Sequence, residues 1–390
     1  MNNATDFKNE TNEANEANEA NVPPWRFIVG HGSYADFSIS VSPAVERAVA
    51  EGISPPTVYL NIFDGDSITI GVNEDPHQVL DLEFCRANGI STRRRVNGGG
   101  AIYAGKGSGF LSLYLPASLA NVPATAAEAF PKVLGHVAAS LEEIFDLKAS
   151  YRPLNDVEID GRKLVATSLK IESGVMTFRI LLNIKAMNTA LAAQAMPMAP
   201  EKVRDKKHKD LGSRYTYLEQ ELQRPITHEE LIAWVDTCIR RAFGGVALQA
   251  GQLSPEENTF AQQAALELTA DAWFNEKSEA VRYGPLMLPG DRIGRGRRKA
   301  PAGLIWLSLL VRDGRVVRAI VNGDWHPRPT RSVDWLEEGF AGLTADREAC
   351  GQHIEAFMKR QDVEFAGVGV EHLMDALELA LNDLSSEVAA

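Results

Sequence analysis

The sequence predicts an α+β fold of mixed helices and strands. Helical spacings and strand-like runs both occur along the chain, without the strict strand–helix alternation that is typical of a parallel α/β sheet. The 390 residues exceed what one hydrophobic core usually supports, so we expect two domains. A composition of 45% apolar and 24% charged residues is typical of globular proteins and excludes a collagen-like or wholly disordered chain.

The N-terminal segment differs from the rest of the chain. Asn-Glu-Ala is repeated between Asn12 and Ala20, and almost nothing around it is apolar. Such a segment cannot bury enough surface to offset its ordering entropy, so residues 1–22 are predicted to be a disordered tail. There is no basic or apolar signal stretch, and no apolar run approaches the ~20 residues that span a bilayer. We therefore expect no secretion signal and no membrane partner.

The first domain is predicted over residues 23–250. Serine, proline and glycine around positions 42–52 frame a short helix. A turn at Asp64-Gly65 is expected to join two strands. The predicted strands are Thr57–Ile62, Ser67–Gly71, Phe110–Leu115 and a run within Gly174–Asn183, and the predicted helices are Ala44–Ala50, Leu80–Asn88 and the segment from Val133 to Ile144. Residues 93–108 are expected to be rich in turns.

A second, smaller α+β domain is predicted over residues 260–390, after a polar linker at 247–257. Asp313-Gly314 is a strong hairpin signal between two apolar runs. The predicted strands are Leu304–Val311 and Val316–Val321, and the predicted helices are Ser332–Phe340, Ala345–Met358 and Val370–Leu381.

Charge and cysteine content exclude several classes of function. The net charge of −12 disfavours nonspecific nucleic-acid binding, so no nucleic-acid partner is expected. Two basic clusters, Lys202–Lys209 and Arg292–Lys299, are by default solvated loops. The three scattered cysteines, without a CxxC or HExxH pair, fit a reducing compartment and give no zinc site. A cytoplasmic location is therefore expected.

The most informative stretch is Arg93–Tyr103, in which three arginines precede three consecutive glycines. Glycines let a backbone approach a ligand closely, and their N–H groups can hold phosphate or carboxylate oxygens. Arginine adds a planar, bidentate phosphate-binding group. Gly100 to Lys106 also satisfies the start of a P-loop pattern, but Gly107 stands where the Mg²⁺-binding hydroxyl should be, and a strand rather than a helix is expected to follow.

A second informative stretch runs from Asn155 to Ala166. Asp160-Gly161 predicts a hairpin turn, so Asp156 and Lys163 should lie on neighbouring strands. A lysine there can polarise a carboxylate and a phosphate together. Aspartate suits Mg²⁺, which is often held by a carboxylate plus substrate phosphates. Taken alone, the segment also fits an ordinary exposed hairpin.

Together these stretches resemble the lipoate–protein ligase family, within the wider group that includes biotin–protein ligases. Arg94-Arg95 followed by Gly98–Ala101 matches the family's arginine pair and Gly-Gly-Gly-Ala run, and Asn155-Asp156 with Gly161-x-Lys163 matches its Asn-Asp strand and Gly-x-Lys turn. Three other segments resemble the family more weakly. Residues 70–76 resemble the strand and loop that line the acyl pocket, and residues 206–221 resemble a basic loop that closes over the adenylate. Residues 306–325 resemble a small C-terminal accessory domain.

The resemblance implies a two-step acyl transfer in a catalytic domain over residues 23–250, followed by an accessory domain over 260–390. ATP and Mg²⁺ would activate lipoate or octanoate as acyl-AMP, and a lysine of an acceptor lipoyl domain would take the acyl group. Lys163 is the implied catalytic residue, and Asp156 the implied Mg²⁺ ligand. The implied ATP and acyl-adenylate residues are Arg95, Asn97, Gly98, Gly99, Gly100, Ala101, Ile102, Tyr103, Asn155, Asp156 and Lys163. The basic segment Lys202–Arg214 is expected to be a mobile loop that orders over the adenylate.

Several positions depart from the family pattern and leave the identity of the acid open. Val165-Ala166-Thr167 replaces Ser-Gly-Ser, and Thr177-Phe178-Arg179 stands where His-Gly-Thr is usual. Asn97 replaces a serine, and Ala104-Gly105 replaces His-Asp.

Two alternatives to the ligase therefore stay open. One is an octanoyl- or lipoyltransferase that needs no ATP. Related octanoyltransferases use a cysteine nucleophile, whereas Cys85, Cys238 and Cys350 each fit a small buried hydrophobe better. The other alternative is a catalytically weak acyl-binding or partner-binding relative.

Overall fold

The structure is a computed structural model that describes residues 23–153, 155–197 and 214–386. The predicted tail over 1–22, the basic cluster Lys202–Lys209 and all of the predicted mobile loop except Arg214 lie outside the described residues. The strands are β1 Trp25–His31, β2 Thr57–Ile62, β3 Ser67–Ile70, β4 Ser91–Arg94, β5 Ile102–Ala104, β6 Gly109–Pro116, β7 Ser150–Arg152, β8 Asp156–Ile159, β9 Arg162–Glu172, β10 Val175–Leu182, β11 Leu248–Ala250, β12 Arg292–Ala300, β13 Gly303–Arg312, β14 Arg315–Gly323, β15 Pro327–Arg328 and β16 Glu364–Phe365. The helices are α1 Tyr34–Ile39, α2 Val41–Ala50, α3 Pro76–Val79, α4 Leu82–Ala87, α5 Ala126–Phe145, α6 Thr189–Ala195, α7 Leu218–Leu222, α8 His228–Ala242, α9 Pro255–Leu268, α10 Asp271–Phe274, α11 Glu279–Tyr283, α12 Ser332–Glu338, α13 Arg347–Met358 and α14 Val370–Ser386.

These elements form two compact units, and the predicted mixed α/β fold is confirmed. The described residues within 23–65, 104–188 and 214–264 form unit 1, and those within 66–103, 189–197 and 265–386 form unit 2. The division into a catalytic domain over 23–250 and an accessory domain over 260–390 concerns function and stays a prediction. Within the ranges the structure describes, no helix is both long enough and apolar enough to cross a membrane.

Unit 1 is built on a mixed sheet. In the described part of the chain it has eight strands in the order β11-β1-β2-β6-β10-β9-β8-β7. Successive side chains of β6 point to opposite faces of the sheet, and apolar residues pack on both faces. Leu111, Leu113 and Leu115 enter the main core of the unit, to which α5 and α8 also contribute. Phe110 faces the other way, with its ring centroid 5.1 Å from that of Tyr34 in α1.

Unit 2 contains an antiparallel sheet, β12-β13-β14, and a smaller sheet, β4-β3-β5. Helix α14 lies directly on β12 because Gly294 and Gly296 leave room for it. A Cβ on Gly294 would lie 2.2 Å from the Ala380 carbonyl oxygen, and one on Gly296 would lie 1.9 Å from that of Ala376. This close approach buries Leu377 in the core of the unit.

The structure corrects several predictions about local elements. The turn at Asp64-Gly65 does not make a hairpin, because β2 pairs with β1 and β6 whereas β3 pairs with β4 and β5. The segment 93–108 is less irregular than predicted, since it contains the end of β4 and all of β5. The basic cluster Arg292–Lys299 is strand β12 rather than a loop, because its alternate residues pack beneath α14.

The predicted linker at 247–257 is also part of unit 1. Strand β11 pairs in parallel with β1, and the Glu257 side chain is fully buried. Glu257 accepts hydrogen bonds from the guanidinium of Arg26 and from the hydroxyl of Ser54. The segment is therefore polar without being a flexible linker. Its buried carboxylate at Glu257 is paired with Arg26, a residue distant in sequence.

Candidate active site

The hairpin β8–β9 places a lysine and an aspartate in contact, as the sequence predicts. Asp160 and Gly161 have φ values of 50° and 74°, the left-handed pair that a two-residue type I′ turn requires. Glu158 pairs with Lys163, which puts Lys163 on the same face of the hairpin as Asp156. The Nζ of Lys163 lies 2.8 Å from Oδ2 of Asp156, and the two side chains are 25% and 13% exposed.

The backbone of Lys163 is held from a second direction. Its carbonyl oxygen accepts hydrogen bonds from the Thr216 amide at 3.0 Å and from Nδ2 of Asn183 at 3.3 Å. A β-bulge interrupts the pairing beside it, since Val157 pairs with Val165 and Glu158 with Lys163. Such bulges redirect a side chain without breaking the sheet, so the position of the ammonium group is set by the fold.

Asn155 and Asp156 have different surroundings. The amide of Asn155 donates to the Thr167 carbonyl at 2.8 Å, and the Thr167 hydroxyl donates to the Asn155 carbonyl at 2.6 Å. Asn155 is thereby tied to β9. Asp156 keeps one carboxylate oxygen, Oδ1, buried and without a hydrogen-bond partner among the described residues. A buried acceptor of this kind is costly unless a proton donor or cation reaches it.

The second group of predicted residues forms the loop between β4 and β5, residues 95–101, which we call the glycine loop. Its arginine does not point away from the loop. Nη2 of Arg95 donates to the carbonyls of Gly98 at 2.7 Å and Gly100 at 2.9 Å, and Nη1 donates to the Thr69 carbonyl at 3.2 Å. One guanidinium therefore clamps the loop on both sides of Gly99, a geometry that only a planar fork of donors supplies.

The residues 324–327, which follow β14, lie against the glycine loop within unit 2. The Gly99 amide donates to the Trp325 carbonyl at 2.9 Å. Cβ atoms built on Gly98 and Gly100 would lie 2.7 Å from the Trp325 carbonyl oxygen and 3.2 Å from Cβ of Asp324. The glycines thus allow one backbone to approach another, and the Gly99 N–H is engaged in this arrangement.

The other predicted residues of this stretch lie around the loop. Asn97, Ala101 and Ile102 are half-buried, and Tyr103 is buried on β5. Asp324, Trp325 and His326 are neighbours of the loop for which the sequence holds no local signal. Three glycines predicted a close approach by some group, but nothing in the sequence predicts that residues more than 200 positions later would make it.

The cysteines are poor nucleophile candidates. All three are buried, which confirms the prediction from the sequence. Burial raises the pKa of Cys238 to about 12 and that of Cys350 to about 11, and it also raises the pKa of Cys85. A thiol with a raised pKa carries little thiolate near neutral pH, so none of the three has the environment of an activated cysteine.

Two further features bear on ligands. A cavity of about 620 Å³ in unit 2 is lined partly by Asp75, Glu279, Arg297 and Trp306, and it contains none of the predicted site residues. Across the described ranges, no group of three or more His, Cys, Asp or Glu side chains is arranged to hold a metal ion.

Comparison with known proteins gives one consistent result. A family model described as "Lipoyl protein ligase A/B catalytic domain" matches residues 37–239, just over half of the chain. Octanoyltransferase LipM of Kyrpidia tusciae is 25% identical over 278 residues, which are 64% of this chain and 97% of that protein. Lipoate–protein ligase 1 of Staphylococcus aureus is 21% identical over 324 residues, covering 82% of this chain and 90% of that protein.

A solved structure supports the same fold. The crystal structure of P. falciparum LipL1 in complex with lipoate superposes with a TM-score of 0.63 at 16% identity, covering 90% of this chain and 98% of that chain. The ligase-like fold predicted from the glycine and lysine motifs is thereby confirmed. The relatives include both a ligase and a transferase, so the similarity alone does not choose between the two reactions.

Proposed function

Because the chain belongs to the lipoyl protein ligase A/B catalytic domain family, we propose that it is an ATP-dependent lipoate–protein ligase. It activates lipoate, or the related octanoate, as acyl-AMP and transfers the acyl group to a lysine of an acceptor lipoyl domain. In the first step an oxygen of the acid's carboxylate attacks the α-phosphorus of ATP, and pyrophosphate leaves. In the second step the acceptor amine attacks the acyl carbonyl, loses a proton and displaces AMP.

The observation that carries this proposal is the ion pair between Lys163 and Asp156. An ammonium group held at 2.8 Å from a carboxylate, and only one-quarter exposed, is already oriented before substrate arrives. Negative charge develops first on the α-phosphate and then on the acyl carbonyl oxygen. A fixed cationic donor stabilises both charges without reorganisation during the reaction, which makes Lys163 the proposed catalytic residue.

Asp156 is the proposed protein ligand for Mg²⁺. Its partnerless buried oxygen is a hard anionic donor of the type that Mg²⁺ prefers, so the residue fits the ion. The bound ion would neutralise phosphate charge. Asp156 itself orients the ammonium of Lys163 through its other oxygen.

The glycine loop is the proposed phosphate-binding element: Arg95 fixes its conformation, and Asn97 to Ala101, with Ile102 and Tyr103 of β5, are proposed to contact the nucleotide. Asn155 is a proposed ATP- and acyl-adenylate-binding residue that also fixes the start of β8, next to Asp156. The segment Lys202–Arg214 remains the proposed adenylate-covering loop.

The cysteines favour the ligase over the transferase. A transferase that forms a thioester on the enzyme needs an accessible thiolate. The three buried cysteines, all with raised pKa values, lack that property. Activation by ATP removes the need for an enzyme thiol, because the mixed anhydride of acyl-AMP is already electrophilic.

The proposed function is tested by incubating the protein with an apo lipoyl domain and an equimolar mixture of lipoate, octanoate and biotin, with and without ATP. Pyrophosphate release and the mass of the acceptor are measured together. Acylated acceptor with matching pyrophosphate supports the ligase, and the added mass identifies the acid. Acceptor acylated only when octanoyl-acyl carrier protein replaces ATP would establish the transferase. Absence of both products would favour a catalytically weak relative that binds an acyl group or a partner protein.

A further inference from the structure

The C-terminal part of unit 2 contributes a histidine to the glycine loop. His326 lies in the segment 324–327, between the end of β14 and β15, and its imidazole faces Gly99. An ideal Cβ on Gly99 would lie 2.7 Å from Nε2 and 2.8 Å from Cε1 of His326. Gly99 has a φ of 87°, so both its conformation and its contact with the ring require the absence of a side chain.

Three groups fix Gly99 in place. Its amide is bound by the Trp325 carbonyl, the carbonyls on either side are clamped by Arg95, and its Cα packs under His326. The ring also lies near the Arg95 guanidinium. The ideal Cβ of Gly99 that would touch the ring would also lie 3.1 Å from Nη2 of Arg95. The imidazole therefore occupies the space that a side chain at position 99 would need.

The charges around the ring favour its neutral form. Burial lowers the pKa of His326 below its ordinary value, and the positive charges of Arg95 and Arg328 lower it further, while Asp324 opposes them. Protonation would place an imidazolium beside the guanidinium that clamps the loop. Two adjacent cations repel, so protonation should loosen the contact.

We propose that His326 is a positioning residue, whose imidazole holds Gly99 and the Arg95 guanidinium in the arrangement that receives a phosphate-bearing ligand. The identity of that ligand as ATP rests on the proposed function, but the positioning itself does not. His326 acts through the loop and takes no part in bond making or breaking. The sequence gives no signal for this role, because the histidine stands alone and far from the glycines.

The first test needs no ligand. Hydrogen exchange of the Gly99 amide is measured by NMR in the wild type, His326→Ala, His326→Asn and the exposed-histidine control His228→Ala. Removing the ring should speed exchange at Gly99 about tenfold or more, because the loop then opens locally with less loss of contact. A tenfold change corresponds to about 1.4 kcal/mol in the free energy of that opening. The control should match the wild type. Exchange at Gly99 that is unchanged in both His326 variants would overturn the proposal.

A pH series separates positioning from a general packing effect. After correction for intrinsic exchange rates, protection of Gly99 in the wild type should fall below the lowered pKa of His326. In His326→Asn, which has no titrating ring, that fall should disappear. If both proteins lose protection over the same pH range, another group is responsible and the proposal fails. Should His326→Ala not fold, the His326→Asn series alone decides.

The second test concerns ligand binding. The KM for ATP in pyrophosphate release should rise about tenfold in His326→Ala, with kcat changed much less, because a loosened loop weakens ground-state and transition-state binding alike. An unchanged KM would contradict the proposal even if exchange increased. Absence of ATP turnover in the wild type would refute the proposed function instead, and the exchange experiments would then decide the role of His326 without it.

Discussion

The ammonium of Lys163 and the carboxylate of Asp156 meet across a two-residue turn, with Nζ 2.8 Å from Oδ2. Each group therefore fixes the other before any substrate binds. Replacing Lys163 by alanine should lower kcat for acyl-AMP formation by about 10²-fold or more, the scale for losing one preorganised donor to a developing oxyanion. Pyrophosphate release in single turnovers measures the effect, and the exposed Lys148→Ala serves as control. Adenylation at the wild-type rate would remove Lys163 from the mechanism.

Gly99 is predicted to be more sensitive to alanine than another glycine of similar backbone conformation. Gly99 and Gly174 have φ values of 87° and 73°, but a Cβ would meet His326 only at Gly99 and nothing within 4 Å at Gly174. Gly174→Ala should cost about 1 kcal/mol of stability from backbone strain alone. Gly99→Ala should cost more and should also weaken ATP binding, as measured by calorimetry. Equal effects of the two changes on ATP affinity would mean that the loop does not bind the nucleotide.

Arg95→Lys is predicted to be harmful although the charge is kept. A guanidinium reaches the carbonyls of Gly98 and Gly100 and that of Thr69 at once, whereas an ammonium cannot reproduce this planar set of bonds. ATP affinity should fall about tenfold, the effect of losing roughly one charge-assisted hydrogen bond. Arg86→Lys, at an exposed helical position, should bind ATP normally.

The cysteines are predicted to resist alkylation in the folded protein. Raised pKa values keep the thiols protonated, so the thiolate population at pH 8 is lower than in the unfolded chain, and burial also blocks access. Iodoacetamide labelling followed by mass spectrometry should be about 10²-fold slower in buffer than in urea. Rapid labelling of one cysteine that also abolishes acyl transfer would favour the transferase.

Glu257 is predicted to be a major contributor to the stability of unit 1. Its side chain is fully buried against that of Arg26, which is 12% exposed. Glu257→Ala leaves that cation without its partner and should lower the free energy of unfolding by about 3–5 kcal/mol. Glu51→Ala breaks an exposed pair with Arg47 and should change it by less than about 0.5 kcal/mol. Urea denaturation of both variants provides the comparison.

The parts of the fold that the sequence predicts well are those specified by neighbouring residues. Asp160-Gly161 defines its turn because its two positions must take left-handed conformations, and the contact of Asp156 with Lys163 follows from the pairing. Three consecutive glycines likewise predict that some group approaches the glycine loop closely, and residues 324–326 do so, whereas phosphate binding there stays a prediction. These signals lie within about ten residues of the groups that they position.

Contacts between distant segments could not be predicted in this way. Asp64-Gly65 looks like a hairpin turn, yet only the pairing of β3 with β4 shows that the chain passes to another sheet there. The sequence predicts that Arg95 binds phosphate, and nothing local indicates that its guanidinium donates to the carbonyls of Gly98 and Gly100 in its own loop. His326 and Glu257 have the same character, since each acquires its role from a residue more than 200 positions away.

The bulge beside Lys163 constrains how this segment tolerates insertions and deletions. The pairing passes over Leu164, so adding or removing one residue within the paired strand segments between Asp156 and Lys163 would turn the lysine to the opposite face of the sheet. Changes of residue type at the exposed turn would leave that direction intact where the new residues can take the left-handed conformations of Asp160 and Gly161. Among related proteins, the number of residues in this hairpin should therefore vary less than their identity. Evolutionary changes in this region should be substitutions rather than insertions or deletions.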